Sequence, residues 1–221
     1  MDRDQLAAMI DHTLLKPEAT PDQVRALAAE AIEHRFAAAC VSPNHADLIV
    51  TELAGSKVRT CCVVAFPSGA HATAIKVSEA WDVAGAGVAE VDMVIDLGGL
   101  SAEGGASVHA EVAEVRGVLG GDVVLKVIIE SAALTDAQIV EACRASVDAG
   151  ADFVKTSTGF HPAGGASTHA VELMRSTVGA QVGVKASGGI RTLADALAMV
   201  EAGADRIGAS AGIAILAELD Q

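Results

Sequence analysis

Tyrosine is absent from this 221-residue chain, tryptophan occurs once and phenylalanine four times. With aromatic residues at 2% and hydrophobic residues at 51%, the interior has to be built from Ala, Val, Ile and Leu rather than from large rings. Small branched side chains of that kind suit the layered inside of a parallel barrel. Positive charge is scarce too: 15 Lys and Arg stand against 29 Asp and Glu, a formal net charge of −14. A nucleic-acid partner needs clustered cations along a phosphate backbone, and this balance speaks against one. A single phosphorylated small molecule remains compatible with it, because one phosphate needs only local amide donors and one cation.

Other absences narrow the class further. No uncharged apolar run is long enough to cross a bilayer, and Met1 to Ile10 is charged and amphipathic. A soluble, cytoplasmic protein with no membrane partner is therefore expected. Cys40, Cys61, Cys62 and Cys143 lack CxxC spacing, and three of them fall in apolar stretches that read as strands, the pattern of reduced core thiols. The seven histidines show neither HxH nor HExxH spacing, so no metal is expected. Neither GxGxxG nor GxxxxGK[ST] occurs, which speaks against an open doubly wound sheet carrying a nucleotide fingerprint after its first strand; no cofactor is expected.

What is present is alternation. The apolar runs predict eight strands, over Asp11 to Leu15, Ala37 to Ser42, Arg59 to Phe66, Glu90 to Asp96, Val123 to Glu130, Phe153 to Thr158, Val182 to Ser187 and Asp205 to Ser210. Helix starts lie between them. Thr20, Pro21 and Gln23 combine an N-cap, a first-turn proline and a capping-box partner; Thr135 with Gln138 repeats the box, and Thr192 with Asp195 resembles it. The tripeptide Ala-Gly-Ala recurs at 84–86, 149–151 and 202–204, each time before a strand. Its glycine is expected to end the helix in a left-handed conformation. Such a pattern gives a parallel sheet, closed or doubly wound, and eight units in this length favour closure. The expectation is one domain over 1–221, a single (β/α)8 TIM barrel with a short N-terminal helix.

Lysine occurs where a core should be. Of the six lysines, Lys126, Lys155 and Lys185 lie inside strand patterns rather than on helix faces. Strand alternation puts Lys126 on a face with Val124, Ile128 and Glu130; Lys155 with Phe153 and Ser157; Lys185 with Gly183 and Ser187; and Asp92 with Glu90, Val94 and Asp96. Pointed inward, one Asp and three Lys converge on the barrel axis. Burying them uncompensated costs several kcal/mol, so they form either a supporting ionic network or a reactive centre at the C-terminal mouth.

Two close lysines and an acid suit carbonyl chemistry. An attacking amine must be neutral, whereas a free lysine titrates near ~10.4. A second ammonium and partial burial both penalise the charged form of an amine so placed. The amine adds to an aldehyde, water leaves, and the iminium serves as an electron sink for the adjacent carbon–carbon bond; Asp92 is the natural acid/base. Ser187-Gly188-Gly189 and Gly208-Ala209-Ser210-Ala211-Gly212 follow the last two strands, where barrels often hold phosphate, though glycine-rich turns also serve as plain connectors. The segment with Gly159, Gly164 and Gly165 either closes over a substrate or is a simple turn. Two further residues stay open: His12 as a structural or a mouth residue, and Cys40, which shares parity with Ser42, as a core or a cavity thiol.

Five segments run in order across nearly the whole chain: Ile10-Asp11-His12-Thr13-Leu14-Leu15, Glu90-Val91-Asp92-Met93-Val94, Leu125-Lys126-Val127-Ile128-Ile129-Glu130, Phe153 through Gly159, and Val184 through Arg191. Together they resemble the deoxyribose-phosphate aldolase family. The resemblance implies reversible cleavage of 2-deoxy-D-ribose 5-phosphate to D-glyceraldehyde 3-phosphate and acetaldehyde. It also implies roles: Lys155 as Schiff-base nucleophile, Lys185 as the neighbouring ammonium, Asp92 in proton transfer, and Lys126 bridging acidic and basic groups. Asp11, Thr13 and Thr158 are implied to line the pocket, and Gly159, Gly188, Gly189, Gly208 and Ser210 to hold phosphate. The chain departs from some members at Phe160, where they carry lysine, at Ala211, where they carry serine, and in lacking a tyrosine-bearing tail. A homodimer is compatible with barrels of this kind, and no surface pattern establishes one.

Overall fold

A computed structural model describes residues 1–219. The chain opens on a short helix, α1 (Arg3–Ala7), closed by a capping box between Asp2 and Gln5. Strict alternation follows: β1 (Ile10–Leu14), α2 (Pro21–His34), β2 (Ala38–Val41), α3 (Ala46–Glu52), β3 (Arg59–Val64), α4 (Thr73–Gly85) and β4 (Glu90–Val94). Two helices, α5 (Leu97–Glu103) and α6 (Gly105–Val118), precede β5 (Val124–Ile128). The rest is α7 (Asp136–Asp148), β6 (Phe153–Lys155), α8 (Thr168–Val178), β7 (Gly183–Ser187), α9 (Leu193–Glu201), β8 (Arg206–Ala209) and α10 (Gly212–Ala217). The strands close in chain order, and β8 returns to pair with β1 in parallel, Asp11 opposite Gly208. The (β/α)8 barrel is therefore the fold. Asp220 and Gln221, which the expected domain includes, lie outside the described residues.

Local signals act as the sequence implies. Capping boxes at Thr20, Thr135 and Thr192 open α2, α7 and α9, each satisfying first-turn amides and contributing on the order of 1 kcal/mol. Gly150 and Gly203 end their helices at φ 93° and 110°. At the first Ala-Gly-Ala the expectation fails, because Gly85 is the last helical residue of α4 and the left-handed turn falls on Gly87, φ 92°. A helix ends where the backbone must reverse, so position after the cap rather than the tripeptide selects the glycine.

Two further expectations change. The sixth strand pairs only over Phe153–Lys155, not to Thr158. Beyond Lys155 the Thr156 amide still donates to the Lys185 carbonyl at 3.0 Å, and side chains then take over: the Ser187 amide donates to Thr156 Oγ1 at 3.0 Å, and Thr158 turns to Glu130. The aliphatic core also lies elsewhere than expected. Val91, Met93, Leu125, Val127, Val154, Val184 and Ile207 face outward and pack beneath the helices. Inside the barrel, one small apolar group is formed by Leu15, Ala38, Cys40, Cys61 and Val63, and buried Val94 and Ile128 share strand parity with Asp92 and Lys126. Charge occupies much of the remaining lumen.

A second buried charge pair stands outside the barrel. Lys76 on α4 is fully buried; its Nζ lies 2.6 Å from Glu111 of α6 and donates to the Val94 carbonyl at 2.9 Å. Glu111 in turn accepts from the Asp96 amide at 2.8 Å. Burial pushes the Glu111 carboxyl up despite the lysine beside it. The pair thus binds both helices to the C-terminal end of β4. Lys76→Met strands an unpaired buried carboxyl and is expected to cost about 3 to 5 kcal/mol in urea unfolding. Adding Glu111→Leu should recover most of that loss; if the single and double variants unfold alike, the pair does not hold this joint.

Candidate active site

Alternation along four neighbouring strands delivers the charged side chains to one place. Asp92 of β4 pairs with Lys126 of β5, and Lys155 of β6 pairs with Lys185 of β7. Asp92 is the common partner. Its Oδ1 lies 2.7 Å from Lys126 Nζ and accepts a Cys61 thiol contact at 3.3 Å. Its Oδ2 lies 2.8 Å from Lys155 Nζ and 2.6 Å from Lys185 Nζ. Both nitrogens touch one oxygen, so the two amines stand side by side across a single carboxylate.

A second carboxylate layer supports the first. Lys185 also meets Asp11 at 2.5 Å, and Lys126 meets Glu90 at 2.6 Å. Arg206 of β8 binds Asp11 through Nε at 2.8 Å and through a short Nη2 contact, and reaches Glu90 at 3.1 Å. Arg59 closes on Glu90 from the barrel's lower rim at 2.6 Å. Burial alone would raise the pKa of Asp92, but Lys126, Lys155 and Lys185 outweigh it and hold the carboxyl well below the usual range. Asp11 is likewise depressed, burial being overcome by Lys185, Lys126 and Arg206. Lys185 is raised, because Asp11 and Asp92 outweigh the desolvation that would lower it. Lys126 is raised for the same kind of reason, with Asp92 the leading carboxylate.

Above this cluster a cavity of about 270 Å³ opens at the C-terminal ends of the strands. Lys155, 3% exposed, is the cluster's amine on its wall. Thr13, Thr158, Gly159, Gly188, Gly189, Gly208 and Ser210 line it too, as the sequence reading placed them. Asp11, Cys40 and Lys126 do not: each is fully buried, off the cavity wall. Lys185 and Asp92 are buried with them and touch the cavity through Lys155. His12 points outward to Glu30 at 2.7 Å and tilts against Phe36, which removes it from the mouth.

Several site features were not legible beforehand. Arg206 shares strand parity with Gly208, a signal that could have found it; Glu130 gave only a weak one. The Thr158 hydroxyl donates to Glu130 Oε2 at 2.5 Å, so this pocket hydroxyl is oriented by a buried acid. Gly208 has a steric reason of its own, since a Cβ there would stand 2.9 Å from Ser187 Cβ and 3.2 Å from Lys185 Cε. Lys16 and Arg191 place two exposed cations on the cavity lining. Where some relatives carry lysine, Phe160 stands 49% exposed and packs edge-on against Phe66 at 5.2 Å.

Among the described residues, one group has metal-ligand proximity: Cys40, Cys61 and Asp92, with donor atoms within 4.8 Å of one another. It does not suit a cation. Both Asp92 oxygens already face ammonium groups, and burial pushes the Cys61 thiol well up, away from the thiolate a metal requires.

Comparison with known proteins places this geometry. The family model described as DeoC/LacD family aldolase matches residues 5–218. The chain is 54% identical over 220 residues to the deoxyribose-phosphate aldolase of Corynebacterium diphtheriae, covering 99% of both chains. It is 57% identical over 219 residues to that of Kocuria rhizophila, covering 99% of this chain and 98% of the other. Among solved structures, a tetrameric deoxyribose phosphate aldolase from Aeropyrum pernix superposes with a TM-score of 0.93 at 36% identity, covering 100% of this chain and 93% of that one.

The cluster has a pH signature with two limbs. Depressed Asp11 and Asp92 add stability above their unfolded pKa, about 3.9, and that stability is lost as pH falls through their folded values. Raised Lys126 and Lys185 add stability below about 10.4, lost as pH rises through theirs. The cluster's contribution to the urea midpoint should therefore be constant between roughly pH 5 and pH 9 and decline on both sides. An acid limb unchanged by Asp92→Asn would contradict this assignment.

Proposed function

The chain belongs to the DeoC/LacD family of aldolases, and from that premise we propose that it reversibly cleaves 2-deoxy-D-ribose 5-phosphate to D-glyceraldehyde 3-phosphate and acetaldehyde through a Schiff base on Lys155. The observation that carries this reading is one carboxylate oxygen shared by two lysine ammoniums, one of them on the wall of a cavity. Lys155 has a single carboxylate partner among the described residues, whereas Lys185 has two and Lys126 three. Lys155 is also the one of the three that lines the cavity, and in its neutral form its amine attacks the substrate aldehyde. Lys185 stays cationic and opposes a second charge beside it.

The chemistry follows from these positions. Lys155 Nζ adds to the aldehyde carbon; the carbinolamine loses water, leaving a protonated imine. A base removes the proton of the hydroxyl two carbons away, and the bond between the carbons breaks with its electrons drawn into the iminium. The phosphorylated aldehyde departs, the enamine is protonated, and hydrolysis frees acetaldehyde and the amine. Asp92, a carboxylate held against both nitrogens, is suited to relay protons between Lys155 and Lys185. Gly188 and Gly189, both at positive φ, with Ser210, supply the phosphate end, and Lys16 and Arg191 on the same lining add charge complementarity.

No step requires a metal. The four buried free cysteines fit a reducing compartment, which supports a cytoplasmic enzyme. Treatment with acetaldehyde and borohydride should leave a reduced two-carbon adduct on Lys155, mapped by peptide mass. An adduct on another residue, or none, defeats the assignment. Lys185→Leu is expected to lower turnover by about a hundredfold or more without unfolding the protein, and a chelator is expected to leave activity intact.

A further inference from the structure

The segment between β6 and α8 crosses the mouth and meets the turn after β7 at closest range through glycines. The Ala166 amide is shared between the carbonyls of Ser187 at 3.1 Å and Gly188 at 3.0 Å. Gly159 and Gly188 sit at φ 82° and 87°, so each has a conformational reason to be glycine. Gly165 is different: its backbone is not left-handed, yet a Cβ there would stand 2.2 Å from the Gly188 carbonyl oxygen and 2.4 Å from its carbon. Those neighbours are backbone atoms, so neither can step aside by a side-chain rotation. Any side chain at 165 must push one loop off the other.

We propose that Gly165 is a positioning residue for phosphate recognition: its bare Cα lets the β6 loop clamp the Gly188–Gly189 turn in the conformation that receives the substrate phosphate. This rests on the reading that Gly188 and Gly189 hold that phosphate. Gly165 itself does not line the cavity, and the chemistry at Lys155 takes place on the strand below. The clamp therefore separates binding from bond making.

The test compares wild type with Gly165→Ala in three measurements: KM and kcat for 2-deoxy-D-ribose 5-phosphate, competition by inorganic phosphate, and borohydride trapping of acetaldehyde. The expected result is a KM and a phosphate inhibition constant each raised about tenfold or more, with acetaldehyde trapping at the wild-type rate. A variant that binds phosphate like the wild type overturns the inference. Equal loss of trapping and of phosphate competition also overturns it, because the loop would then support the whole barrel mouth. Wild-type protein that traps acetaldehyde but shows no competition by phosphate would instead remove the underlying reading of the phosphate end. Should Gly165→Ala fail to fold, Ala166→Pro removes the shared amide without adding an atom at 165, and the same three measurements apply.

Discussion

Three lysine ammoniums converge on the two oxygens of Asp92 inside the barrel, and most of the site's construction answers to that contact. Taken singly, each buried charge would cost several kcal/mol. Together they are tolerable because Asp11, Glu90 and Asp92 are interleaved with Lys126, Lys155, Lys185 and Arg206 at hydrogen-bonding distance. The arrangement leaves one more cation than carboxylate within that set. Lys155, the member that reaches the cavity wall, has the fewest carboxylate partners of the three lysines among the described residues. An arrangement made only to fill the lumen would have no need of that imbalance, and aliphatic packing would serve it as well or better.

Parallel register is what makes such crowding achievable. Adjacent strands set Asp92 beside Lys126 and Lys155 beside Lys185, and the twist of a closed barrel turns alternate side chains of all eight strands toward one axis. The lumen then divides by depth. Charge lies below, the reactive amine lies at the boundary, and the cavity above is bordered by hydroxyls, glycines and a few apolar groups such as Leu15 and Phe160. Outside the sheet the division reverses, and aliphatic residues of the same strands pack under the helices. In β4 to β7, catalytic polarity and folding hydrophobicity are thereby carried by opposite faces of the same strand.

Much of this was readable from residue order. Alternation with capping boxes predicts the barrel, because caps and strand periodicity are local properties that need no knowledge of distant contacts. The inward lysines are readable for a similar reason: parity along a strand is a matter of counting. What escaped was contact between strands far apart in sequence. Arg206 is separated from Asp11 by nearly the whole chain, and only ring closure brings them together. Glu130 meets Thr158 because the chain leaves β5 in a left-handed turn, φ 54°, that no spacing announces. Asp11, assigned by resemblance to the pocket, Lys126, assigned as a bridge between acidic and basic groups, and Cys40, which strand parity left as a core or a cavity thiol, are separated from the cavity by depth, which the order of residues along a strand does not specify.

Taken alone, the order of residues determined that strands and helices alternate, which strand faces carry charge, and which family the motifs resemble. Each of these depends on neighbours a few positions apart. Tertiary structure decided which amine reaches the cavity, how many carboxylates each cation meets, and that Gly165 is bare because Gly188 lies against it. These are relations between segments joined only by closure of the barrel, where distances of a few ångströms in a low-dielectric interior govern which groups keep their charge.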